Sequence, residues 1–200
     1  GYNGTLFVFG NTSSGKTHTA MGSSADPGLI VWAINDVFAF IGNSSGREFL
    51  LRVSFFEIHS ESVKDLLKPG AADELQVYED PVRGYGVAGL SEQVVGSAEQ
   101  FMELLVFGEA NRHVATLTKR SRSHTVLKLL IDSDVVGGRT DDSDFDGEAG
   151  GAKCVPLLSS ALHLVDLAGS EGTYREKGSS APSGGVEPML INRSLRQLQV

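Results

Sequence analysis

The length, composition and charge of the chain exclude disordered, disulfide-built and membrane-spanning classes of protein. Its 200 residues are 40% apolar and 21% charged, which is too hydrophobic for a chain disordered throughout. Its single cysteine (Cys154) cannot form an internal disulfide and so favours a reducing compartment. It has no run of about 18 apolar residues, the length needed to span a membrane. The net charge of −8 argues weakly against nucleic acid as a partner, although residues 132–148, with seven acidic residues and one basic residue, supply most of it.

Strand patterns and helix patterns alternate along the chain, which favours an α/β fold. Apolar or alternating runs predict strands at residues 5–9, 49–59, 75–79, 85–95 (broken by glycines), 124–131 and 162–167. Helical spacing and start signals predict helices at residues 16–21, 28–41, from 97 onward and 189–200, and a short helical turn at 61–67. The acidic, glycine-rich residues 132–152 are predicted to form a surface loop.

A glycine-rich segment between the first predicted strand and the first predicted helix matches the phosphate-binding pattern G-x-x-x-x-G-K-[ST]. The segment consists of Gly10, Asn11, Thr12, Ser13, Ser14, Gly15, Lys16 and Thr17. Glycines let backbone N–H groups turn toward phosphate oxygens, and the following helix adds the positive end of its dipole. Lys16 is predicted to reach the β- and γ-phosphates, and the Thr17 hydroxyl is predicted to bind Mg²⁺.

A second element of the same kind of site is an apolar strand that ends in a carboxylate. Residues 162–166 end in Asp166, which is suited to hold Mg²⁺ through water, and Gly169 follows with a backbone free to approach a γ-phosphate. Taken alone, this pattern is equally typical of a buried strand with a capping aspartate. Together with the phosphate-binding segment it favours a metal site.

The basic residues 120–124 (RSRSH) precede the predicted strand at 124–131 and allow two interpretations. They form either an exposed basic turn or a loop whose hydroxyl groups meet Mg²⁺ or a γ-phosphate and whose arginine makes an ion pair.

These motifs occur together in an order that resembles the kinesin motor domain. The resemblance rests on residues 1–22, 121–124 and 166–171, with further matches at 49–67 and 191–195, and residues 46–67 and 108–114 are most similar to the CENP-E-type subfamily. It implies a P-loop NTPase of the kinesin-motor fold, with a mostly parallel central sheet flanked by helices and truncated at both ends. Within this partial motor domain, residues 111–124 correspond to switch I, 166–171 to switch II and 189–200 to the start of the switch-II helix.

The resemblance also implies roles for individual residues. Ser121 matches the switch-I serine that senses Mg²⁺ and the γ-phosphate, and the Gly169 N–H matches the group that meets the γ-phosphate. Arg122 and Glu171 match a salt bridge that closes the site. His18 lies where kinesins often place an aromatic residue or histidine near the adenine, although a surface helix residue is an equally suitable interpretation.

The function implied is that of an ATP-dependent microtubule motor, which binds and hydrolyses MgATP and couples this to microtubule binding and movement. The resemblance further implies that the partner is the microtubule, with no nucleic acid or membrane partner, and that the full-length protein is a coiled-coil homodimer. The location that it implies is the cytoplasmic microtubule cytoskeleton, at the spindle or kinetochore for the CENP-E-type subfamily.

Several departures from the family pattern keep alternatives open. Arg120 replaces the first serine of switch I, the usual asparagine is missing, the segment from Arg112 to Ser121 is shortened, and the loop after Glu171 is long. One alternative is therefore a nucleotide-binding but hydrolytically impaired microtubule-binding module. An unrelated P-loop GTPase or small-molecule kinase is a second alternative, but the guanine motif N-K-x-D of GTPases is absent.

The resemblance covers only the middle of a motor domain. The family's first strand and adenine-contacting segment would precede residue 1, and further microtubule-binding elements would follow residue 200. Because an incomplete sheet exposes apolar surface and unpaired strand groups, these 200 residues alone are expected to fold poorly or aggregate.

Overall fold

The computed structural model describes residues 1–23, 25–59, 62–70, 75–81, 84–112, 123–135 and 158–170. The predicted helix at 189–200, most of the acidic segment 132–152 and most of switch I lie outside these residues. The elements, in chain order, are β1 (Gly4–Val8), α1 (Lys16–Met21), α2 (Leu29–Asn43), β2 (Arg47–His59), β3 (Ser62–Asp65), β4 (Gln76–Asp80), β5 (Gly84–Ala88), β6 (Gln93–Val95), α3 (Ala98–Asn111), β7 (His124–Val135) and β8 (Leu158–Asp166).

The central sheet of the described residues is mixed, with the strand order β1-β8-β7-β2-β3 and with β6 also paired to β2. Only β1 and β8 pair in parallel, and the other four pairings are antiparallel. The α/β class is confirmed, whereas the expectation of a mostly parallel sheet is wrong for this part of the chain. The physical reason is that helices α1 and α2 join β1 to a strand that is not its neighbour, and the short link from β2 to β3 permits only an antiparallel pair.

One face of this sheet carries the core. Successive side chains of a strand point to opposite faces, so alternate positions of β2, β7 and β8 meet the helices. In register, Phe55 lies opposite Leu127, and Leu127 lies opposite Leu164. The buried cluster joins these strands to all three helices through Ala20, Ile30, Ile34, Leu51, Val53, Phe55, Phe101, Leu105, Leu127, Leu129 and Leu164.

Helix α3 begins at the start signal that the sequence contains. The Ser97 hydroxyl accepts a hydrogen bond from the Gln100 amide at 3.3 Å, and the Gln100 side chain accepts one from the Gly96 amide at 2.8 Å. These contacts satisfy donors that a helix start leaves without partners, and they confirm the predicted helix start.

Among the described residues, no helix has the length and hydrophobicity that a membrane-spanning segment requires.

Two predictions of local structure are wrong. Residues 61–67 were expected to form a helical turn, but Ser62–Asp65 is strand β3, which pairs with β2 and buries Val63 while Lys64 faces outward. Pairing with β2 supplies backbone hydrogen bonds that a single isolated helical turn would not provide.

The acidic surface loop was expected to begin at residue 132, but strand β7 continues to Val135 and Asp132 is buried. The Asp132 carboxylate accepts hydrogen bonds from Arg52 and, at 2.6 Å, from Ser159. Burial alone would raise the pKa of Asp132, but these hydrogen bonds outweigh it and lower the pKa. A partnered aspartate therefore remains in the strand, and the rest of the predicted loop lies outside the described residues.

Candidate functional site

The loop between β1 and α1 has a backbone that only certain residues accept. Gly10 and Gly15 have φ angles of 151° and 90°, and Ser13 has a φ of 64°. A Cβ added at Gly10 would lie 2.8 Å from the Ser14 Oγ atom. Glycine is therefore needed at both ends of this loop, as a phosphate-binding turn requires.

Lys16 is held across the loop that it follows. Its Nζ atom donates a hydrogen bond to the backbone carbonyl of Asn11 at 2.7 Å. The ammonium group thus lies against the loop and supplies a positive charge at the place where a phosphate would bind.

Thr17 and Asp166 are brought together by the parallel pairing of β1 with β8. Val8 lies opposite Asp166 in the register, so the loop after β1 and the end of β8 share one edge of the sheet. The Thr17 Oγ1 atom donates to Asp166 Oδ2 at 2.7 Å.

The oxygen atoms of this pair fit Mg²⁺. Asp166 is 2% exposed, and its Oδ1 atom is buried with no hydrogen-bond partner in the described part of the chain. The described ranges contain no cluster of three or more metal-ligating side chains. A hydroxyl and one carboxylate beside a phosphate loop are the donor set that Mg²⁺ uses when substrate phosphates and water complete its coordination.

Arg112, at the end of α3, is a buried member of the site that the sequence analysis did not identify. Its Nη1 atom lies 3.7 Å from Asp166 Oδ2 and 3.5 Å from Glu109 Oε1, and its Nε atom lies 3.7 Å from Glu57 Oε1. One guanidinium therefore faces carboxylates from α3, β2 and β8. The resemblance placed Arg112 within the segment that corresponds to switch I but gave it no role, and no pattern in the sequence indicates that it is 3% exposed.

The segment after Asp166 is tied to three neighbours. The Leu167 amide donates to the Val8 carbonyl at 3.3 Å, the Ala168 amide to His124 Nδ1 at 3.1 Å, and the Ser170 amide to the Gly10 carbonyl at 3.1 Å. Of the four amides from Leu167 to Ser170, only that of the buried Gly169 has no acceptor within the described residues.

His124 is a second residue that the sequence analysis did not place in the site. Burial lowers the pKa of His124, the Asp166 carboxylate raises it and the Arg112 guanidinium lowers it, so the net direction is downward, which favours the neutral ring. A neutral ring can accept the Ala168 N–H, whereas a protonated ring cannot. The available signal was its position at the end of the RSRSH motif.

A cavity of about 250 Å³ lies above this arrangement. It is lined by Thr12, Ser13, Gly15, Lys16, Thr17, His18, Glu109, Arg112, Asp166 and Leu167. The structure thus brings six of the predicted binding residues together with Asp166, while Gly10, Asn11, Ser14 and Gly169 do not line the cavity. Ser121, Arg122 and Glu171 lie outside the described residues, and the roles of all these residues stay predictions.

Comparison with known proteins gives one consistent result. The family model "Kinesin motor domain" matches residues 1–200. Kinesin-like protein KIN-7O of Arabidopsis thaliana is 40% identical over 99% of this chain, which corresponds to 15% of that protein, and kinesin-related protein 11 of Dictyostelium discoideum is 41% identical over 99% of the chain and 28% of its own length.

Two solved structures are similar over 99% of the chain. The structure of a fast kinesin has a TM-score of 0.77 and 32% identity, with 53% of that chain covered. A KIF14 dimer in complex with a microtubule, in a two-heads-bound state with AMP-PNP, has a TM-score of 0.75 and 35% identity, with 54% covered.

These relatives bear on the expected subfamily and on the extent of the chain. The plant relatives are of the KIN-7 type, so the CENP-E-type subfamily is not supported. The chain spans between 15% and 28% of the length of the curated relatives described above.

Proposed function

Because the chain belongs to the kinesin motor-domain family, we propose that it is the ATPase part of a microtubule motor. It binds and hydrolyses MgATP and couples this to microtubule binding and movement. The observation that carries the proposal is the hydrogen bond from Thr17 to the buried Asp166 beneath the glycine-rich loop. This contact joins the phosphate-binding element to the strand-end carboxylate in the arrangement that Mg²⁺-dependent phosphoryl transfer needs.

The residues of the loop bind the nucleotide phosphates in this proposal. Backbone N–H groups of residues 10–17 and the Lys16 ammonium hold the phosphates, and His18 at the cavity wall lies near the base. Thr17, Asp166 and Ser121 would hold Mg²⁺, with Asp166 doing so through water. The bound Mg²⁺ would neutralise the charge of the phosphate oxygens during transfer.

The switch residues act on the γ-phosphate. The Gly169 N–H is available because, unlike the neighbouring amides of Leu167, Ala168 and Ser170, it has no acceptor within the described residues. Arg122 and Glu171 close the site by an ion pair and position the attacking water, which contributes through orientation and electrostatics.

The partner is the microtubule, since one structural neighbour is a kinesin in complex with a microtubule. On the resemblance to the kinesin family alone, we extend the proposal to a coiled-coil homodimer for the full-length protein and to the microtubule cytoskeleton of the cytoplasm.

The proposal is tested by phosphate release from the full-length protein with and without microtubules. We expect microtubules to increase the rate of the wild type, and the K16A variant to lack this increase because the phosphate-binding ammonium is gone. Equal rates in the two proteins would contradict the motor function.

The same experiment separates the motor from a hydrolytically impaired binding module, which Arg120 in switch I favours. Such a module would bind MgATP and microtubules but show no microtubule-dependent phosphate release. A variant that restores serine at this position (R120S) would then be expected to gain activity.

A further inference from the structure

We propose that His124 is a positioning residue that fixes the backbone just before Gly169 and so sets how the site distinguishes a γ-phosphate. The inference rests on the proposed function, because it assigns His124 to the γ-phosphate side of the same nucleotide site.

The geometry places His124 where the sheet stops. The antiparallel ladder between β7 and β8 ends with Thr125 opposite Asp166. Beyond this pair the chain leaves the strand, and the Ala168 N–H donates to the His124 ring instead of to a backbone carbonyl. The imidazole of His124, the first residue of β7, therefore holds the chain two residues beyond Asp166, where the backbone pairing of the two strands has ended.

The contact is sheltered from water. His124 is 8% exposed and Ala168 is 1% exposed. If the ring acceptor were removed, a buried N–H would lose its partner, and the segment would move until that group found water or another acceptor. The residue that such a movement displaces first is Gly169.

The anchors of the β-phosphate side are held by hydrogen bonds and strand pairing that do not include the His124 ring. Lys16 is bonded to Asn11, and Thr17 is bonded to Asp166, whose position is set by the pairing of β8 with β1 as well as with β7. Loss of the His124 acceptor should therefore weaken binding of a nucleotide with a γ-phosphate and leave the binding of ADP unchanged.

The test compares three variants of the full-length protein: H124F, H124N and H124Q. Phenylalanine keeps a ring but has no acceptor, asparagine places an oxygen close to where Nδ1 lies, and glutamine places its oxygen one bond further out. The measurement is the dissociation constant for ADP and for AMP-PNP, each with Mg²⁺, together with the kcat and KM of ATP hydrolysis.

We expect H124F and H124Q to bind AMP-PNP about tenfold more weakly than the wild type, the usual effect of one buried hydrogen bond, while ADP affinity is kept. H124N should retain the wild-type ratio of the two constants. Retention of that ratio in H124F would overturn the inference.

The pair H124N and H124Q keeps the test decisive if H124F does not fold, because both variants carry the same amide group. Equal AMP-PNP-to-ADP ratios in the two variants, whether high or low, would contradict a role for acceptor placement. A wild-type protein that binds neither nucleotide would overturn the proposed function itself, and the inference with it.

Discussion

Arg112 is the residue on which the buried charges of the site depend. It is 3% exposed and lies within 3.7 Å of carboxylate oxygens of Glu57, Glu109 and Asp166. Removal of one member of a buried ionic group is costly because the remaining charges stay in a medium of low polarity.

We therefore expect R112A to lower the free energy of unfolding by about 3–5 kcal/mol. The measurement is urea-induced unfolding of the full-length protein. R47A is the matched control, since Arg47 is half-buried and donates to Ser133 at 2.9 Å, a contact whose loss costs about 1 kcal/mol. An equal loss in the two variants would show that the buried carboxylates do not rely on Arg112.

His163 makes the stability of the sheet depend on pH. It lies opposite Lys128 in the register of β7 and β8. Burial lowers its pKa, the Lys128 ammonium lowers it further, and a hydrogen bond from the ring to the Gly4 backbone acts in the opposite direction. The unfolded chain therefore binds a proton at a higher pH than the folded chain does.

From this sign we expect the free energy of unfolding to decrease as the pH falls below about 6.5, the ordinary value for histidine, toward the lowered pKa of the folded state. The H163Q variant should show a shallower decrease, and His124, whose pKa is also lowered, should supply the remainder. Urea unfolding at several pH values measures both slopes. Identical slopes in wild type and variant would contradict the assignment.

At the scale of elements, helix α3 lies against strand β2 at a glycine. A Cβ added at Gly108 would lie 2.2 Å from Phe55 Cδ1, a core side chain that is 1% exposed. A Cβ added at Gly42, near the end of α2, would have no heavy atom of another part of the chain within 4 Å.

The two glycines should respond in opposite directions to alanine. We expect G108A to destabilise the protein by about 1–3 kcal/mol through overpacking, and G42A to leave stability unchanged or raise it by up to about 1 kcal/mol through helix propensity. Thermal unfolding measures both variants. If G108A proved as stable as G42A, α3 could not lie this close to β2.

The elements also show what a sequence reveals about this fold. The phosphate loop, α1, α2 and the start of α3 were predictable because glycines, helical spacing and the Ser97 capping box are local signals. Strand β3 and residues 132–135 of β7 were not, since their structure depends on pairing with distant strands and, for Asp132, on Arg52 and Ser159.

The same distinction holds in the site. Thr17 and Asp166 could be predicted because Thr17 completes the glycine-rich pattern and Asp166 ends a recognisable apolar strand. Their hydrogen bond shows that the two side chains meet. Arg112 and Glu57 could not be predicted, because an ion pair between a helix end and a central strand has no local signature. His124 belonged to a motif, but the motif does not reveal that its ring accepts from Ala168.

At the scale of the whole molecule, the predicted kinesin-motor fold is confirmed by structures with TM-scores of 0.77 and 0.75. The glycine-rich loop, the strand-end carboxylate of Asp166 and the start of β7 at His124 lie at one edge of the sheet. Under the proposed function, the segment 167–170, which contacts β1, His124 and Gly10, is the part of the described chain best placed to transmit nucleotide state.

The central claim is that one site binds MgATP and controls affinity for microtubules. The most direct test is cosedimentation of the full-length protein with microtubules in AMP-PNP and in ADP, for wild type and for K16A. We expect tighter microtubule binding by the wild type in AMP-PNP than in ADP, and no difference between the nucleotides for K16A. Equal microtubule affinity of the wild type in the two nucleotides would contradict it.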